Sequence, residues 1–296
     1  MDTKNISPEH ITIGFIGLGV MGQGMAGHLL AAGYRLNLFT RSKAKAEALI
    51  AERGRWCDNV KDLAEGSDVI FTIVGFPQDV ESLYLGEAGL IAYVKAGTVL
   101  VDMTTSCPDL AQRISQAVAL KGGEALDAPV SGGDVGAREG RLSIMVGGNK
   151  ECVDRMMPLF ELMGTTIVYQ GPAGAGQHCK MCNQIAIAST MIGVCESMAY
   201  AQKAGLDVKT VLKSIESGAA GSWSLSHLAP RMIEGDFDPG FYVKHFIKDM
   251  TIAQATAESM ALETPGLDLA KRMYETLAAN GGEDEGTQAL FKGYTT

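Results

Sequence analysis

A chain of 296 residues is longer than a single hydrophobic core usually supports, so two domains are expected. Hydrophobic residues make up 46% of the chain and charged residues 20%, which is typical of globular proteins and argues against disorder. The formal net charge is -9 and the sequence contains no run of Lys or Arg, which argues against nucleic acid and anionic membranes as partners.

The first half of the chain alternates short β-branched runs with amphipathic segments. The predicted strands are Ile11–Ile16, Arg35–Thr40, Asp68–Val74, Thr98–Asp102, Glu124–Ala128, Leu142–Val146 and Thr165–Val168. Helices are predicted between them, for example at Val20–Ala32 and Lys43–Arg53, each followed by a Gly. This alternation predicts an α/β fold with a Rossmann-type, doubly wound, mostly parallel sheet over residues 1–172.

The strand pattern ends near residue 172, and the rest of the chain is predicted to be helical. A long helix is expected at Gly176–Ala204, since this stretch has no Pro and a single internal Gly. Further helices are predicted at Val208–Ser217, Lys248–Leu262 and Leu267–Ala279. Residues 173–296 are therefore interpreted as an all-α domain that begins with a long interdomain helix.

A glycine-rich turn lies between the first predicted strand and the first predicted helix. Gly17, Gly19 and Gly22 have GxGxxG spacing, in which the glycines allow a tight turn and close approach of a pyrophosphate to the helix N-terminus. We predict a dinucleotide site here rather than a merely structural turn. The residues expected to contact the cofactor are Gly17, Leu18, Gly19, Val20, Met21 and Gly22.

The end of the second predicted strand indicates which dinucleotide is bound. NAD enzymes usually carry an acidic residue there for the ribose 2′-hydroxyl, whereas this chain has Thr40, Arg41 and Ser42. A guanidinium with adjacent hydroxyls favours a 2′-phosphate, so NADP is the expected cofactor, with NAD possible. The alternative is that Arg41 is only a solvated charge at the start of a helix.

The start of the long helix carries a candidate proton donor. Lys180, Asn183 and Gln184 share one helix face through their i, i+3 and i+4 spacing. Reduction of a carbonyl needs a hydride at carbon and a proton at oxygen, and a Lys ammonium can supply the proton while Asn183 fixes its position. The alternative for Lys180 taken alone is a solvated helix cation.

Four blocks of this sequence together resemble the β-hydroxyacid dehydrogenase family, which includes 3-hydroxyisobutyrate dehydrogenases, tartronate semialdehyde reductases and glyoxylate/succinic semialdehyde reductases. The blocks are GFIGLGVMGQGMA at Gly14–Ala26, DAPVSGG at Asp127–Gly133, GAGQHCKMCNQ at Gly174–Gln184 and HFIKDMTIA at His245–Ala253. They occur in the family's order and span almost the whole chain. The resemblance implies an oxidoreductase that interconverts a small 3-hydroxy or 2-hydroxy carboxylic acid and its semialdehyde or oxo acid.

The resemblance also implies roles for individual residues. It makes Lys180 the catalytic lysine and Asn183 its helper, whereas Gln184 replaces the more usual second Asn and has no assigned role. The implied substrate-binding residues are Ser131, Gly132, Gly133, Phe241 and Asp249, and further implied cofactor contacts are Val74, Thr105 and Lys248. The family further implies that the helical domain forms the interface of a homodimer or homotetramer.

Some features leave alternatives open. The turn after Val74 and the Gly218–Ser224 segment differ from the family's common pattern, so the physiological substrate is not identified. A dinucleotide-binding sensor without turnover and an imine reductase on the same scaffold remain the competing hypotheses.

Cysteine usage bears on metal binding and on cellular location. Cys179 and Cys182 form a CxxC, but no second pair lies at zinc-site spacing, so we expect buried helix thiols and no metal. Six scattered Cys suit a reducing compartment, and the polar first ten residues do not have the pattern of a signal peptide or membrane span. A cytoplasmic protein is expected.

Overall fold

A computed structural model of the chain describes residues 6–294. The described residues form two compact units that divide between Lys180 and Met181. Within residues 6–294, no helix combines the length and the apolar character that crossing a membrane requires.

The first unit is built on a nine-stranded sheet with the order β3-β2-β1-β4-β5-β6-β8-β7, with β9 paired to β8. The strands are β1 Thr12–Ile16, β2 Arg35–Phe39, β3 Arg55–Trp56, β4 Val69–Thr72, β5 Val99–Asp102, β6 Glu124–Asp127, β7 Val130–Ser131, β8 Leu142–Gly147 and β9 Gly164–Gly171. Pairing is parallel from β3 to β6, whereas β8 runs antiparallel to β6 and β7 and parallel to β9. The predicted doubly wound sheet is confirmed.

Helices connect these strands. They are α1 Val20–Ala31, α2 Glu47–Ala51, α3 Val60–Glu65, α4 Pro77–Leu85, α5 Leu90–Tyr93, α6 Pro108–Ala119, α7 Gly133–Glu139 and α8 Lys150–Phe160. Strand β1 lies between β2 and β4, so the direction in which successive strands are added to the sheet reverses at β1. Open α/β sheets bind dinucleotides at such a reversal, beyond the carboxyl ends of the strands.

Buried aromatic residues fill the space between the sheet and its helices. Phe15 of β1 stacks on Phe71 of β4 with ring centroids 6.2 Å apart, and Phe160 of α8 meets Phe71 edge-on at 6.2 Å. All three side chains are fully buried. This packing fixes β1 and β4 next to each other and so defines the loops that follow them.

The second unit is helical. Helix α9 extends over Ala175–Lys203, so that it begins in the first unit and continues into the second. The remaining helices are α10 Val208–Ile215, α11 Trp223–His227, α12 Ala229–Glu234, α13 Val243–Ser259 and α14 Pro265–Leu277, followed by a 3₁₀ segment at Thr287–Tyr294. Tyr274 of α14 packs edge-on against Phe246 of α13 at 5.0 Å, and its hydroxyl donates to the Thr287 carbonyl at 2.8 Å.

Two helices differ from their predicted bounds for identifiable reasons. The helix predicted at Lys43–Arg53 divides into a 3₁₀ turn at Lys43–Ala46 followed by α2, and 3₁₀ turns of this length are common at the N-terminus of an α-helix. Helix α13 begins at Val243 rather than Lys248, because the first-turn N–H groups of Val243 and Lys244 donate to the carbonyls of Glu285 and Glu283.

Candidate active site

The loop between β1 and α1 presents an uncapped helix N-terminus. Gly17 has φ +98°, and a Cβ there would lie 2.0 Å from the Ile73 carbonyl oxygen, while a Cβ at Gly22 would lie 1.9 Å from the Gly17 carbonyl oxygen. Gly19 differs, because a Cβ at that position would have no protein atom within 4 Å. It is the N-cap of α1 and supplies no side-chain hydrogen bond to the first turn. The loop therefore fits an anionic group approaching the free N–H groups of α1 over Gly19.

The other predicted residues of this loop differ in exposure. Leu18 is fully buried and anchors the turn, Met21 is half-buried, and Val20 is exposed. Any contact that Leu18 makes to a bound cofactor must therefore come from its backbone.

The segment after β2 projects into solvent. Thr40 is half-buried, Ser42 is exposed, and the Arg41 side chain is 89% exposed. Arg41 Nη1 lies 4.0 Å from Asp79 Oδ1 of α4, a residue that the sequence interpretation did not consider. The Asp79 carboxylate also accepts the Phe76 N–H at 3.1 Å, which holds it at the start of α4. An exposed pair at this distance is weak, so the guanidinium can turn towards another anion.

A buried hydrogen-bond network underlies the loops after β4 and β5. The Thr72 hydroxyl donates to Asp102 Oδ1 at 2.9 Å, so the Tyr84 hydroxyl is the donor in its 2.7 Å contact with Thr72. Asp102 Oδ1 also accepts the Thr104 N–H at 3.0 Å. Burial raises the pKa of Asp102 to about 6, and the hydrogen bonds from Thr104 and Thr72 oppose this shift. None of these contacts was predicted from the sequence.

Val74 and Thr105 lie on the two loops that this network supports. The Val74 N–H donates to the Thr104 hydroxyl at 3.0 Å, which ties the loop after β4 to the loop after β5. Thr105 follows directly in the chain and is half-buried. The two predicted cofactor residues are therefore held on adjacent loops within the first unit.

The predicted carboxylate loop contains two consecutive glycines with positive φ. Ser131 ends β7 and is half-buried, Gly132 has φ +128° and is the N-cap of α7, and Gly133 has φ +63°. A Cβ at Gly133 would have no protein atom within 4 Å, whereas one at Gly132 would lie 3.3 Å from Leu142 Cδ2. Successive N–H groups in such a turn can converge on an anion.

The start of α9 is capped by a carboxylate from another part of the first unit. Asp127 Oδ1 accepts the Gly174 N–H at 2.8 Å, and Asp127 Oδ2 accepts the Gln177 N–H at 2.9 Å. Burial raises the pKa of Asp127, while these backbone hydrogen bonds counteract the rise. Lys180, one turn further along α9, is 6% exposed. Its side chain is therefore buried, and the alternative interpretation of Lys180 as a solvated helix cation is wrong.

In the second unit, amide and charged side chains form a chain of contacts between α9 and α13. Asn183 Nδ2 donates to Gln184 Oε1 at 2.7 Å, and Gln184 Nε2 donates to Asp249 Oδ2 at 2.6 Å. Lys248 Nζ lies 2.9 Å from Asp249 Oδ1 and forms an ion pair with it. The geometry of this contact is not that of a hydrogen bond, and among the described residues no other group donates a hydrogen bond to Asp249 Oδ1. Gln184, which had no assigned role, thus links Asn183 to Asp249, two residues that the sequence placed at the site.

Two further predicted features have different outcomes. Phe241 is partly exposed and packs edge-on against Phe246 at 5.8 Å. The expectation of two buried helix thiols is wrong for Cys182, which is exposed, because that position of α9 faces away from the packed side. Cys179 is half-buried.

Comparison with known proteins finds relatives over both parts of the chain. Residues 12–171 match the family model for the NAD-binding domain of 6-phosphogluconate dehydrogenase, and residues 174–294 match the one described as NAD-binding of NADP-dependent 3-hydroxyisobutyrate dehydrogenase. A Bacillus subtilis protein named uncharacterized oxidoreductase YkwC is 60% identical over 281 residues, which are 95% of this chain and 98% of that protein.

Two more relatives extend the comparison. An Arabidopsis thaliana protein named probable 3-hydroxyisobutyrate dehydrogenase-like 1, mitochondrial, is 49% identical over 96% of this chain and 85% of its own length. The solved structure of Mycobacterium tuberculosis 3-hydroxyisobutyrate dehydrogenase with L-serine superposes with a TM-score of 0.88 at 27% identity, covering 97% of this chain and 99% of that one.

Proposed function

Because this chain belongs to the β-hydroxyacid dehydrogenase family of NAD(P)-dependent oxidoreductases, we propose that it interconverts a small hydroxy carboxylic acid and its semialdehyde or oxo acid. In the reducing direction, Lys180 Nζ donates the proton to the carbonyl oxygen. A bound nicotinamide dinucleotide supplies the hydride. The observation that carries this proposal is a buried ammonium one turn into a helix whose start is fixed by Asp127.

The proposal gives each predicted residue a physical task. Asn183, three residues after Lys180 on the same helix, hydrogen-bonds the ammonium or the substrate. The Ser131 hydroxyl and the N–H groups of Gly132 and Gly133 bind the substrate carboxylate, because the backbone turn there is open to an anion. In a chain with net charge -9, such a local anion site is needed to offset general repulsion of an acidic substrate.

We also propose that NADP is preferred over NAD. The support is that Arg41 projects into solvent after β2, with Thr40 and Ser42 beside it, and that its ion pair with Asp79, at 4.0 Å, is a long one. A 2′-phosphate carries more charge than one carboxylate and offers the guanidinium bidentate hydrogen bonds. Phe241, Lys248 and Asp249 of the second unit remain the candidates for substrate and cofactor contacts from the helical part of the chain.

Self-association into a homodimer or homotetramer is part of the same proposal. Large hydrophobic side chains of the second unit stand exposed, namely Tyr200, Leu206, Trp223, Met260, Leu262 and Leu269. Because exposed apolar side chains mark a subunit interface where they lie together, these residues are the candidates for one.

The test of the proposed function is oxidation of NADPH, and separately of NADH, with a panel of glyoxylate, succinic semialdehyde, methylmalonate semialdehyde and tartronate semialdehyde. At least one of these should be reduced, faster with NADPH. Lys180→Met should lower kcat by about 10²- to 10⁴-fold and leave NADPH affinity nearly unchanged, because one general acid is removed.

The matched control is Lys203→Met, the same substitution on an exposed residue of the same helix, which should keep wild-type turnover. A wild-type protein that binds NADPH but reduces none of the panel would favour the sensor without turnover. Near-normal turnover by Lys180→Met would contradict the role of this lysine.

A further inference from the structure

We propose that Gln177 is a positioning residue that fixes Lys180 relative to the loop after β5. The inference rests on the proposed function, because it assumes that Lys180 delivers the proton. Gln177 is fully buried, lies in the first unit together with all its partners, and has no role in the predicted chemistry.

The Gln177 carboxamide bonds the backbone of the loop at two points. Its Oε1 accepts the Ser106 N–H at 2.9 Å, and its Nε2 donates to the Thr104 carbonyl at 2.7 Å. The two partners flank Thr105, a predicted cofactor contact. A neutral amide satisfies both at any pH, whereas a carboxylate cannot, since one partner is a donor and the other an acceptor.

The backbone of Gln177 is fixed as firmly as its side chain. Its N–H donates to Asp127 Oδ2 at 2.9 Å. A Cβ at the preceding Gly176 would lie 2.4 Å from the Met145 carbonyl oxygen and 2.6 Å from the Asp127 carbonyl oxygen. The first turn of α9 therefore lies directly against the ends of β6 and β8, with no space in which to slide.

Lys180 follows Gln177 by three residues, so the two side chains are neighbours on one face of α9. Any displacement of the first turn moves the ammonium with it, since the helix is a rigid body over this distance. A misplacement of about 1 Å at a reacting group can cost about 10²-fold in rate. Gln177 thus joins the helix of the proton donor to the loop of the cofactor without touching either reactant.

The discriminating variant is Gln177→Glu. It keeps the size and shape of the side chain but replaces the Nε2 group, which donates to the Thr104 carbonyl, with an oxygen. An ionised Glu can still accept the Ser106 N–H, but it presents a second acceptor to the Thr104 carbonyl. A protonated Glu donates there and restores both bonds. The measured quantity is the ratio of the variant's kcat to the wild-type kcat at the same pH. We expect this ratio to be about 10⁻² near pH 8 and at least about 5-fold higher near pH 6.

Three ionisable groups lie around the new carboxyl and enter the interpretation. Asp127 accepts the backbone N–H of residue 177, Asp102 accepts the Thr104 N–H, and Lys180 lies one turn further along the helix. The two carboxylates disfavour a further negative charge, which moves protonation of the introduced Glu towards neutral pH. Burial raises the pKa of Asp102 to about 6 in the wild type, so wild-type kcat can itself vary with pH, and the ratio of variant to wild type is therefore the measured quantity.

The matched control is Asn37→Asp. Asn37 is also a buried amide of the first unit, and its Nδ2 donates to the Gly66 carbonyl and to the Ser67 hydroxyl, both at 3.0 Å, next to the amino ends of β4 and β5 rather than at the site. Per folded molecule, its kcat ratio should stay flat with pH. A flat ratio for Gln177→Glu with kcat within about threefold of wild type would overturn the proposal.

Gln177→Met provides a second route if the acidic variant does not fold. It conserves volume and removes both side-chain hydrogen bonds, so kcat should fall at every pH while KM and NADPH affinity change by less than about threefold. Hydrogen exchange of the peptides covering 102–108 and 174–184 should become faster, because the Ser106 N–H loses its acceptor.

The two readouts separate this inference from the proposed function. If the wild type reduces no aldehyde acid, the proposed function fails, and the exchange experiment still decides whether Gln177 fixes the loop. Unchanged exchange, or a Gln177→Met protein with wild-type kcat, would overturn the positioning role.

Discussion

The glycines of the cofactor loop allow a test in which three alanine substitutions have three different outcomes. Gly19 has φ −77° and ψ −162°, which an L-residue adopts without strain, and its Cβ would meet no protein atom within 4 Å. Gly19→Ala should therefore change the free energy of unfolding by less than about 0.5 kcal/mol. Its methyl group nevertheless stands where we propose that a pyrophosphate approaches α1, and the loss of one charge-assisted hydrogen bond costs about 1.5–3 kcal/mol.

That cost corresponds to a fall of about 10- to 150-fold in affinity. NADPH and NADH should lose affinity equally, because the pyrophosphate is common to both. Fluorescence titration of each cofactor measures the loss, and thermal unfolding of the free protein measures stability. Wild-type affinity in Gly19→Ala would refute the assignment of this helix end as the pyrophosphate site.

The two companion substitutions control for the backbone of α1. Gly22→Ala brings a Cβ to 1.9 Å from the Gly17 carbonyl oxygen, so it should destabilise the fold by about 1–3 kcal/mol or more. Gly27→Ala, in the same helix, makes an ordinary 3.8 Å contact with Leu49 and should stabilise the protein by about 0.5–1 kcal/mol with no change in binding. If Gly19→Ala lowered the free energy of unfolding as much as Gly22→Ala does, the conclusion that a Cβ at Gly19 meets only open space would be contradicted.

Two further predictions concern charge. Arg41→Ala should weaken the affinity for NADPH about tenfold and the affinity for NADH less than about twofold. The loss is at the low end for a charge-assisted contact because the Arg41 side chain is 89% exposed. Equal losses of affinity in titrations of both cofactors would show that Arg41 does not recognise the 2′-phosphate. The pKa of Asp102 is raised to about 6, so the carboxyl stabilises the fold at acidic pH, and this contribution is lost as the pH rises through 6. Asp102→Asn keeps the Oδ1 acceptor used by Thr72 and Thr104 but cannot ionise. The free energy of unfolding of the variant minus that of the wild type, measured by urea titration, should therefore rise by about 1–3 kcal/mol between about pH 4 and about pH 8. A difference that stays constant over this range would show that the pKa is not raised.

The cofactor half of the fold was predictable because its signals are local. Gly17, Gly19 and Gly22 specify their turn by spacing alone, and the short apolar runs on either side of the α1 segment identify β1 and β2. The two-residue strands β3 and β7 were missed, because two residues are too few to show a period. The start of α13 was missed because its first N–H groups bond to carbonyls some forty residues later in the chain.

The sequence named candidate site residues one by one, but not the contacts between them. Lys180, Asn183 and Asp249 were identified from the blocks in which they occur, yet no pattern in one sequence reveals that Gln184 bonds Asp249, a partner on another helix. The Asp79 carboxylate near Arg41 was missed for the same reason, since its own local role is to cap α4. Local spacing predicts which groups are available, whereas tertiary packing decides which of them meet.

A common physical requirement explains why both newly placed residues are amides. Gln177 holds the start of the helix that carries Lys180, and Gln184 joins Asn183 to the buried Asp249. A carboxylate in either place would add a buried charge, and beside the proposed proton donor it would hold the proton on the ammonium instead of releasing it. An apolar residue would leave buried donors and acceptors unpaired, at about 1–3 kcal/mol for each group. A neutral amide both donates and accepts, so it can fix charged neighbours in position without changing the charge on which proton transfer depends.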